Sequence, residues 1–313
     1  MTDITRADIT RAQARIAADI RRTPLMKLDG RQLGLGGIEF WLKLEHLQVG
    51  GSFKARGMFN RMRSNDVPAA GVVIASGGNA GIAVAVAAQA LGVRCEVFVP
   101  DSASQAKRDK LVELGAVLTV GGAGYADALA ASLARQQATG ALLMHAYDQR
   151  EVVIGAGTLA AEVEADAGVP DRVLVSVGGG GLIAGVAAWF EGRCRIEALE
   201  PELASTLHAA REAGMPVDVA VSGLAADSLG ARRIGAIAWD VTQRHVDGSH
   251  LLKDEDIRAA QVMLWTALRL AVEPAAALPL AALVTGTIAP ARGERVLLVI
   301  CGANVDPASV AAR

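Results

Sequence analysis

The sequence predicts an α/β protein with two open, largely parallel twisted sheets flanked by helices. Three observations carry that expectation. Short apolar, β-branched runs alternate along the chain with alanine-rich runs of helical length; the alternation comes in two separate series; and in each series a glycine-rich turn joins a strand to a helix. Two sheets imply a cleft, and 313 residues are long for one small core.

Taken in order, the chain opens on an amphipathic helix with Ile9, Ile16 and Ile20 on one face. Phe40, Leu42 and Leu44 alternate on an early strand, and a helix is predicted from Phe53 to Met62 behind the turn Gly50-Gly51-Ser52. Strand 72–75, helix 80–91, strand 95–99, helix 103–114, strand 116–120 and helix 125–138 follow, forming a three-strand open unit. A second series starts near Leu142 and carries strand 173–177, helix 182–190, strand 196–199 and a late strand from Arg295 to Ile300.

Composition excludes several classes of function. A formal net charge of −2 without a basic cluster argues against nucleic-acid binding. The cysteines, Cys95, Cys194 and Cys301, are too widely spaced for a disulfide framework or a zinc pattern, which points to a reducing cytoplasm. No uncharged run reaches the roughly 20 residues that span a bilayer, and the polar N-terminus lacks the apolar core of a signal peptide, so a soluble chain is expected. The five histidines show no ligand spacing.

Chemistry concentrates in the turns. Lys54 follows an aromatic residue in Gly50-Gly51-Ser52-Phe53-Lys54-Ala55-Arg56-Gly57, where an amine with a lowered pKa could condense with an aldehyde. Alone, the same pattern also describes a solvated surface lysine. Two further turns lend support: Ser76-Gly77-Gly78-Asn79-Ala80-Gly81 after strand 72–75, and Gly178-Gly179-Gly180-Gly181 after strand 173–177. A strand, a glycine turn and a helix N-terminus make an anion site, because unpaired N–H groups and the positive end of the helix dipole point into the turn. A tight connection alone accounts for one or two glycines but not easily for four.

These segments occur, with Val272-Glu273-Pro274 and Val299-Ile300-Cys301-Gly302-Ala303-Asn304-Val305-Asp306, in the order seen in fold-type II pyridoxal-phosphate enzymes. The sequence most resembles their serine/threonine dehydratase branch, from Arg22-Thr23-Pro24-Leu25 to Asp306, and Lys43-Leu44-Glu45-His46-Leu47-Gln48 fits that branch too. The resemblance implies a tryptophan synthase beta-like fold with the active site in the interdomain cleft. Residues 47–146 would form a small domain; 1–46 plus 147–313 would form a large, cofactor-binding one. It also implies a homodimer acting on a small amino acid, with no nucleic-acid or membrane partner. A regulatory C-terminal extension like that of biosynthetic threonine dehydratases is not expected, nor is feedback inhibition through one.

By the same resemblance, Lys54 would hold the pyridoxal 5'-phosphate aldehyde at rest, yield to the substrate amine, and then take the Cα proton as general base. Phe53 would pack the cofactor ring, Asn79 would hydrogen-bond its phenolic oxygen, and Gly178, Gly179, Gly180 and Gly181 would bind its phosphate; Glu273 joins the cofactor-binding set. Asn79 also suits a plain Asx turn. Ser76, Gly77, Gly78, Asn79 and Ala80 resemble the loop that grips the substrate carboxylate, and Ser76 also suits a helix N-cap. Cys301 matches the residue facing the pyridine nitrogen, an uncharged partner that leaves the ring a weaker electron sink, as β-elimination tolerates. A buried small hydrophobe is the alternative for Cys301.

Glu200 and the Ala204 carbonyl resemble cation ligands, but Thr206 stands where divalent-binding racemases place an aspartate. That leaves a monovalent cation or a purely structural Glu-Pro turn. The implied activity is deamination of a β-hydroxy amino acid, L-serine or L-threonine, by α,β-elimination to the 2-oxo acid and ammonia. The alternatives are an amino-acid racemase, a β-replacement synthase and a non-enzymatic ligand-binding paralogue. Gly223 to Arg233 and Gly121-Gly122-Ala123-Gly124-Tyr125 are the candidates for the substrate side-chain pocket.

Overall fold

The computed structural model describes residues 3–311. Helix α1 (Arg6–Ile16) starts on a capping box between Thr5 and Asp8 and buries Ile9, Ala12 and Ile16. It stops one turn short of Ile20, which still packs, half-buried, on the smaller core. Strand β1 (Leu25–Asp29) pairs antiparallel with β2 (Glu39–Lys43). In β2 the residues Phe40, Trp41 and Leu42 are all buried in place of the expected alternation, because both faces of that strand are covered.

Helix α2 (Lys54–Arg63) leads to β3 (Val72–Ala75), α3 (Asn79–Leu91), β4 (Cys95–Val99), α4 (Gln105–Glu113), β5 (Val117–Val120), α5 (Tyr125–Thr139) and β6 (Leu142–Leu143). These strands form a parallel sheet in the order β5-β4-β3-β6. The smaller unit therefore has four strands where the sequence indicated three. Leu142 closes this sheet on β3 and does not open the second series; a two-residue strand is too short for a periodicity to mark it.

The chain continues through α6 (Arg150–Ala167), β7 (Arg172–Ser176), α7 (Gly181–Phe190), β8 (Arg195–Pro201), α8 (Thr206–Ala213), α9 (Ala236–His245), β9 (Gly248–Leu252), α10 (Asp254–Leu268), α11 (Pro274–Val284), β10 (Arg295–Val299) and α12 (Pro307–Ala311). The larger sheet runs β1-β2-β10-β7-β8-β9, parallel except for β1. The fold class is the expected one.

Helix α6 joins the two halves, packing on α2 and on α7. Its approach to α2 is backbone to backbone: a Cβ at Gly155 would lie 2.4 Å from the Arg56 carbonyl oxygen and 2.7 Å from Gly57 Cα. Lys54 is thus mounted on a helix held at closest approach to the larger half. Among the described residues, no helix is long and apolar enough to cross a membrane.

Candidate active site

A single cavity brings together Phe53, Lys54, Asn79, Gly178, Gly179, Gly180, Gly181, Glu273 and Cys301, residues drawn from both sheets. Tyr147, Ser176, Leu182, Ser228, Leu229 and Ala275 complete its walls.

Lys54 is the first residue of α2. The turn ahead of it is pinned to the end of the late strand, since Phe53 N–H donates to the Cys301 carbonyl at 3.0 Å and Ser52 bridges to Gly302. The Lys54 amine donates to the Ala146 carbonyl at 2.7 Å and lies 5.0 Å from the Phe53 ring centroid. Burial pulls its pKa from 10.5 down to about 8, and the weaker opposing pulls of Cys301 and Glu273 do not restore it. At neutral pH about a tenth of this amine is therefore neutral, far more than for a free lysine.

The tetraglycine turn lines the same cavity as the amine. Among the described residues no protein acceptor takes the N–H of Gly178, Gly179 or Gly180, so three donors stand free at the N-terminus of α7. Its glycines are required by protein neighbours as well as by any ligand. A Cβ at Gly179 would meet the Tyr147 ring at 2.3 Å, and one at Gly180, where φ is +85°, would meet Ala238 and Ile234 at 2.5 Å. A side chain at either position would first collide with these residues.

In the Ser76–Ala80 turn the N-cap of α3 is Gly78, which has no side-chain cap. Ser76 Oγ accepts only a long contact, 3.4 Å, from Gly78 N–H, so Ser76 is not the N-cap that was its alternative reading. A Cβ at Gly77 would stand 3.3 Å from Val99 Cγ1. The Asp227 carbonyl oxygen lies 3.4 Å from where a Cβ at Gly78 would sit, and the Asp227 carboxylate pairs with Lys107 of α4 at 2.8 Å, bridging the two halves beside the turn.

Cys301 is buried, and burial pushes its thiol far above the usual range, so it stays uncharged at neutral pH. The buried Glu273 carboxylate accepts from Asn79 Nδ2 at 2.8 and 3.0 Å and from Asn304 N–H at 2.7 Å. Glu200 is fully buried, and burial raises its pKa to about 7. Its two oxygens accept the N–H groups of Leu207 and His208, each at 2.8 Å, in the first turn of α8. Ala204 closes a turn onto the Pro201 carbonyl, and Thr206 Oγ1 donates to the Gly178 carbonyl. These contacts are those of a Glu-Pro helix cap, and a monovalent ion at Glu200 would have to share its oxygens with two N–H donors. Among the described residues no group of three or more histidine, cysteine, aspartate or glutamate side chains is placed to hold a metal.

Sequence reasoning missed two features. Tyr147 carries no motif; it reaches the tetraglycine turn because His145 Nδ1 accepts the N–H groups of Asp148 (3.0 Å) and Tyr147 (3.3 Å), coiling the turn that also presents the Ala146 carbonyl to Lys54. The other is a buried ionic cluster beneath α2. Arg56 pairs with Glu45 at 2.7 Å and with Glu162 at 2.8 Å, and Lys43 joins Glu162 at 2.5 Å. Two cations and two carboxylates balance. An arginine two residues after the lysine was the available sign.

The profile described as "Pyridoxal-phosphate dependent enzyme" matches residues 16–302. Phenylserine dehydratase of Ralstonia pickettii is 35% identical over 305 residues, covering 96% of this chain and 93% of that protein. L-threonine ammonia-lyase of Geobacter sulfurreducens is 35% identical over 305 residues, covering 95% and 75%. The solved structure of maize serine racemase superposes with a TM-score of 0.92 at 29% identity, covering 99% of this chain and 96% of that one.

Proposed function

The chain belongs to the pyridoxal-phosphate-dependent enzyme family, in its serine/threonine dehydratase branch, and from that premise we propose that it deaminates a β-hydroxy amino acid by α,β-elimination, releasing a 2-oxo acid and ammonia. The observation that carries the reading is that one cavity is lined both by a buried Lys54 amine of lowered pKa and by three unpaired N–H groups at the start of α7.

The residues suit pyridoxal phosphate. Gly178, Gly179 and Gly180 offer N–H groups to a phosphate, Lys54 an amine to an aldehyde, Phe53 a ring face, Asn79 an amide to the phenolic oxygen and Cys301 a neutral thiol to the pyridine nitrogen. When bound, the cofactor supplies the electron sink that makes the substrate Cα proton acidic. The chain's own residues do the rest. The turn Ser76–Ala80, at the positive end of α3, orients the substrate carboxylate. Lys54 Nζ, in its neutral form, takes the Cα proton, and the Cβ hydroxyl leaves with the electron pair of its C–O bond, so that proton and hydroxide together amount to one water.

A racemase is the competing reading, since a solved serine racemase superposes on nearly the whole chain. Racemisation needs a proton donor on the face opposite Lys54. Gly77, which by the family resemblance stands where the racemases place a serine, has none to give. Phenylserine dehydratase among the relatives brings aryl substrates into the panel beside serine and threonine. The test is release of 2-oxo acid from L-serine, L-threonine, phenylserine and 3-hydroxyaspartate: elimination from at least one is expected, and chiral inversion without 2-oxo acid from all four would overturn the reading.

A further inference from the structure

Asn79, Glu273 and Asn304 form a closed hydrogen-bonded group on one wall of the cavity. Asn79 Nδ2 donates to both Glu273 oxygens, at 2.8 and 3.0 Å, and Asn79 Oδ1 accepts from Asn304 Nδ2 at 2.6 Å. The second hydrogen of Asn304 Nδ2 goes to the Gly50 carbonyl at 2.8 Å, while its backbone N–H donates to Glu273 Oε1 at 2.7 Å. Each contact works in one sense only. Rotating the Asn79 carboxamide by half a turn would set its NH2 against the NH2 of Asn304 and its oxygen against a carboxylate. One Asn79 N–H aimed between the two Glu273 oxygens serves both contacts, which leaves the other hydrogen of Nδ2 for the cavity.

We propose that Glu273 and Asn304 are positioning residues that fix the polarity of the Asn79 carboxamide, so that this wall presents an N–H donor, never a carbonyl oxygen, to the phenolic oxygen of the bound cofactor. The inference rests on the cofactor reading above. A donor held at that point favours the ionised form of the phenolic oxygen, because an anion accepts a stronger hydrogen bond than a neutral hydroxyl does. The same group anchors the reactive turn: Asn304 holds Gly50, Ala303 N–H donates to the Gly51 carbonyl at 2.9 Å, and Glu273 N–H donates to the Gly302 carbonyl at 3.0 Å. The start of α3, the end of the late strand and the approach to Lys54 are thereby set by shared contacts. Burial raises the Glu273 carboxyl pKa, and the donors from Asn79 and Asn304 draw it back.

The experiment uses the holoenzyme and reads the cofactor's absorbance against pH, together with its dissociation constant, in Asn304→Ala, Glu273→Gln, Asn79→Ala and the Asn79→Ala/Asn304→Ala double variant. Each of the first two should shift absorbance from the band near about 415 nm toward a shorter-wavelength form, move the midpoint of its pH titration, and weaken cofactor binding roughly tenfold, the loss of one charge-assisted hydrogen bond. In the Asn79→Ala background, adding Asn304→Ala should leave the spectrum unchanged, since both act through one carboxamide. Glu273→Gln keeps the side chain's volume and decides the matter if Asn304→Ala does not fold. Wild-type spectra and titration midpoints in the two single variants, or full additivity in the double, would overturn the proposal. A wild-type protein that binds no pyridoxal phosphate would instead refute the cofactor reading beneath it.

Discussion

Replacing Lys54 by methionine should abolish turnover and at the same time stabilise the cofactor-free protein near neutral pH. The amine titrates at 10.5 in an unfolded chain and at about 8 in the fold, with burial as the main cause. Between those values the unfolded state binds more protons, so stability rises with pH; the penalty is complete below pH 8 and gone above 10.5. Its size is about 3 kcal/mol at pH 7, about 2 kcal/mol at pH 9 and under about 0.5 kcal/mol at pH 10.5. Methionine keeps the length and apolar contacts of the stem but gives up the hydrogen bond to the Ala146 carbonyl, worth about 1 kcal/mol. Lys54→Met should therefore be the more stable protein by about 2 kcal/mol at pH 7, by about 1 kcal/mol at pH 9, and no more stable at pH 10.5. Urea unfolding of the stripped proteins across that range measures the difference. A variant less stable than wild type at pH 7, or a difference independent of pH, would mean that the amine is solvated and titrates normally, and the argument that Lys54 is poised to act as a base would fail.

Two further outcomes follow from the glycines. Gly179→Ala places a methyl 2.3 Å from the Tyr147 ring, so cofactor retention on dialysis should fall, and adding Tyr147→Ala should restore part of it; equal loss with and without Tyr147 would show that the ring is not what demands glycine there. Gly77→Ser should raise the ratio of D-serine to pyruvate formed from L-serine, to the extent that the hydroxyl can be seated beside Val99 Cγ1, which lies 3.3 Å from the new Cβ. A wild-type ratio near or above one would show that another acid serves that face and would favour the racemase reading.

What could be read from the sequence was what local pattern encodes. Strands β3 and β4 were placed to the residue, and α2 and α3 to within a residue at each end, because apolar runs bounded by glycine turns leave little freedom. The residues that the motifs single out as the cofactor set, from Phe53 to Cys301, line one cavity. Strand β6 escaped because two residues carry no period, and β1 because its antiparallel pairing follows from what it packs beside. The Arg56–Glu45–Glu162–Lys43 cluster escaped for a related reason: its members stand far apart in the chain, and nothing local tells a buried charge from an exposed one.

That cluster bears on how one helix end can hold a fully charged residue and a partly neutral one two positions apart. Arg56 lies against two carboxylates, and their charge and hydrogen bonds more than offset its burial, so it stays cationic at any working pH. Lys54 is buried at the N-terminus of the same helix, where the dipole also disfavours a cation, and it has no carboxylate within hydrogen-bonding reach. Glu45 and Glu162 are taken by Arg56 and Lys43. Glu273, the one carboxylate whose charge acts on the amine, is engaged by Asn79 and Asn304, and Cys301 beside it stays a neutral thiol. Each negative charge that could have kept Lys54 protonated is thus bound elsewhere or suppressed. Removing the one that does act on the amine should carry this further: Glu273→Gln should lower the Lys54 pKa again and move the pH profile of its reaction with a simple aldehyde to lower pH, and an unmoved profile would show that the carboxylate's charge does not reach the amine.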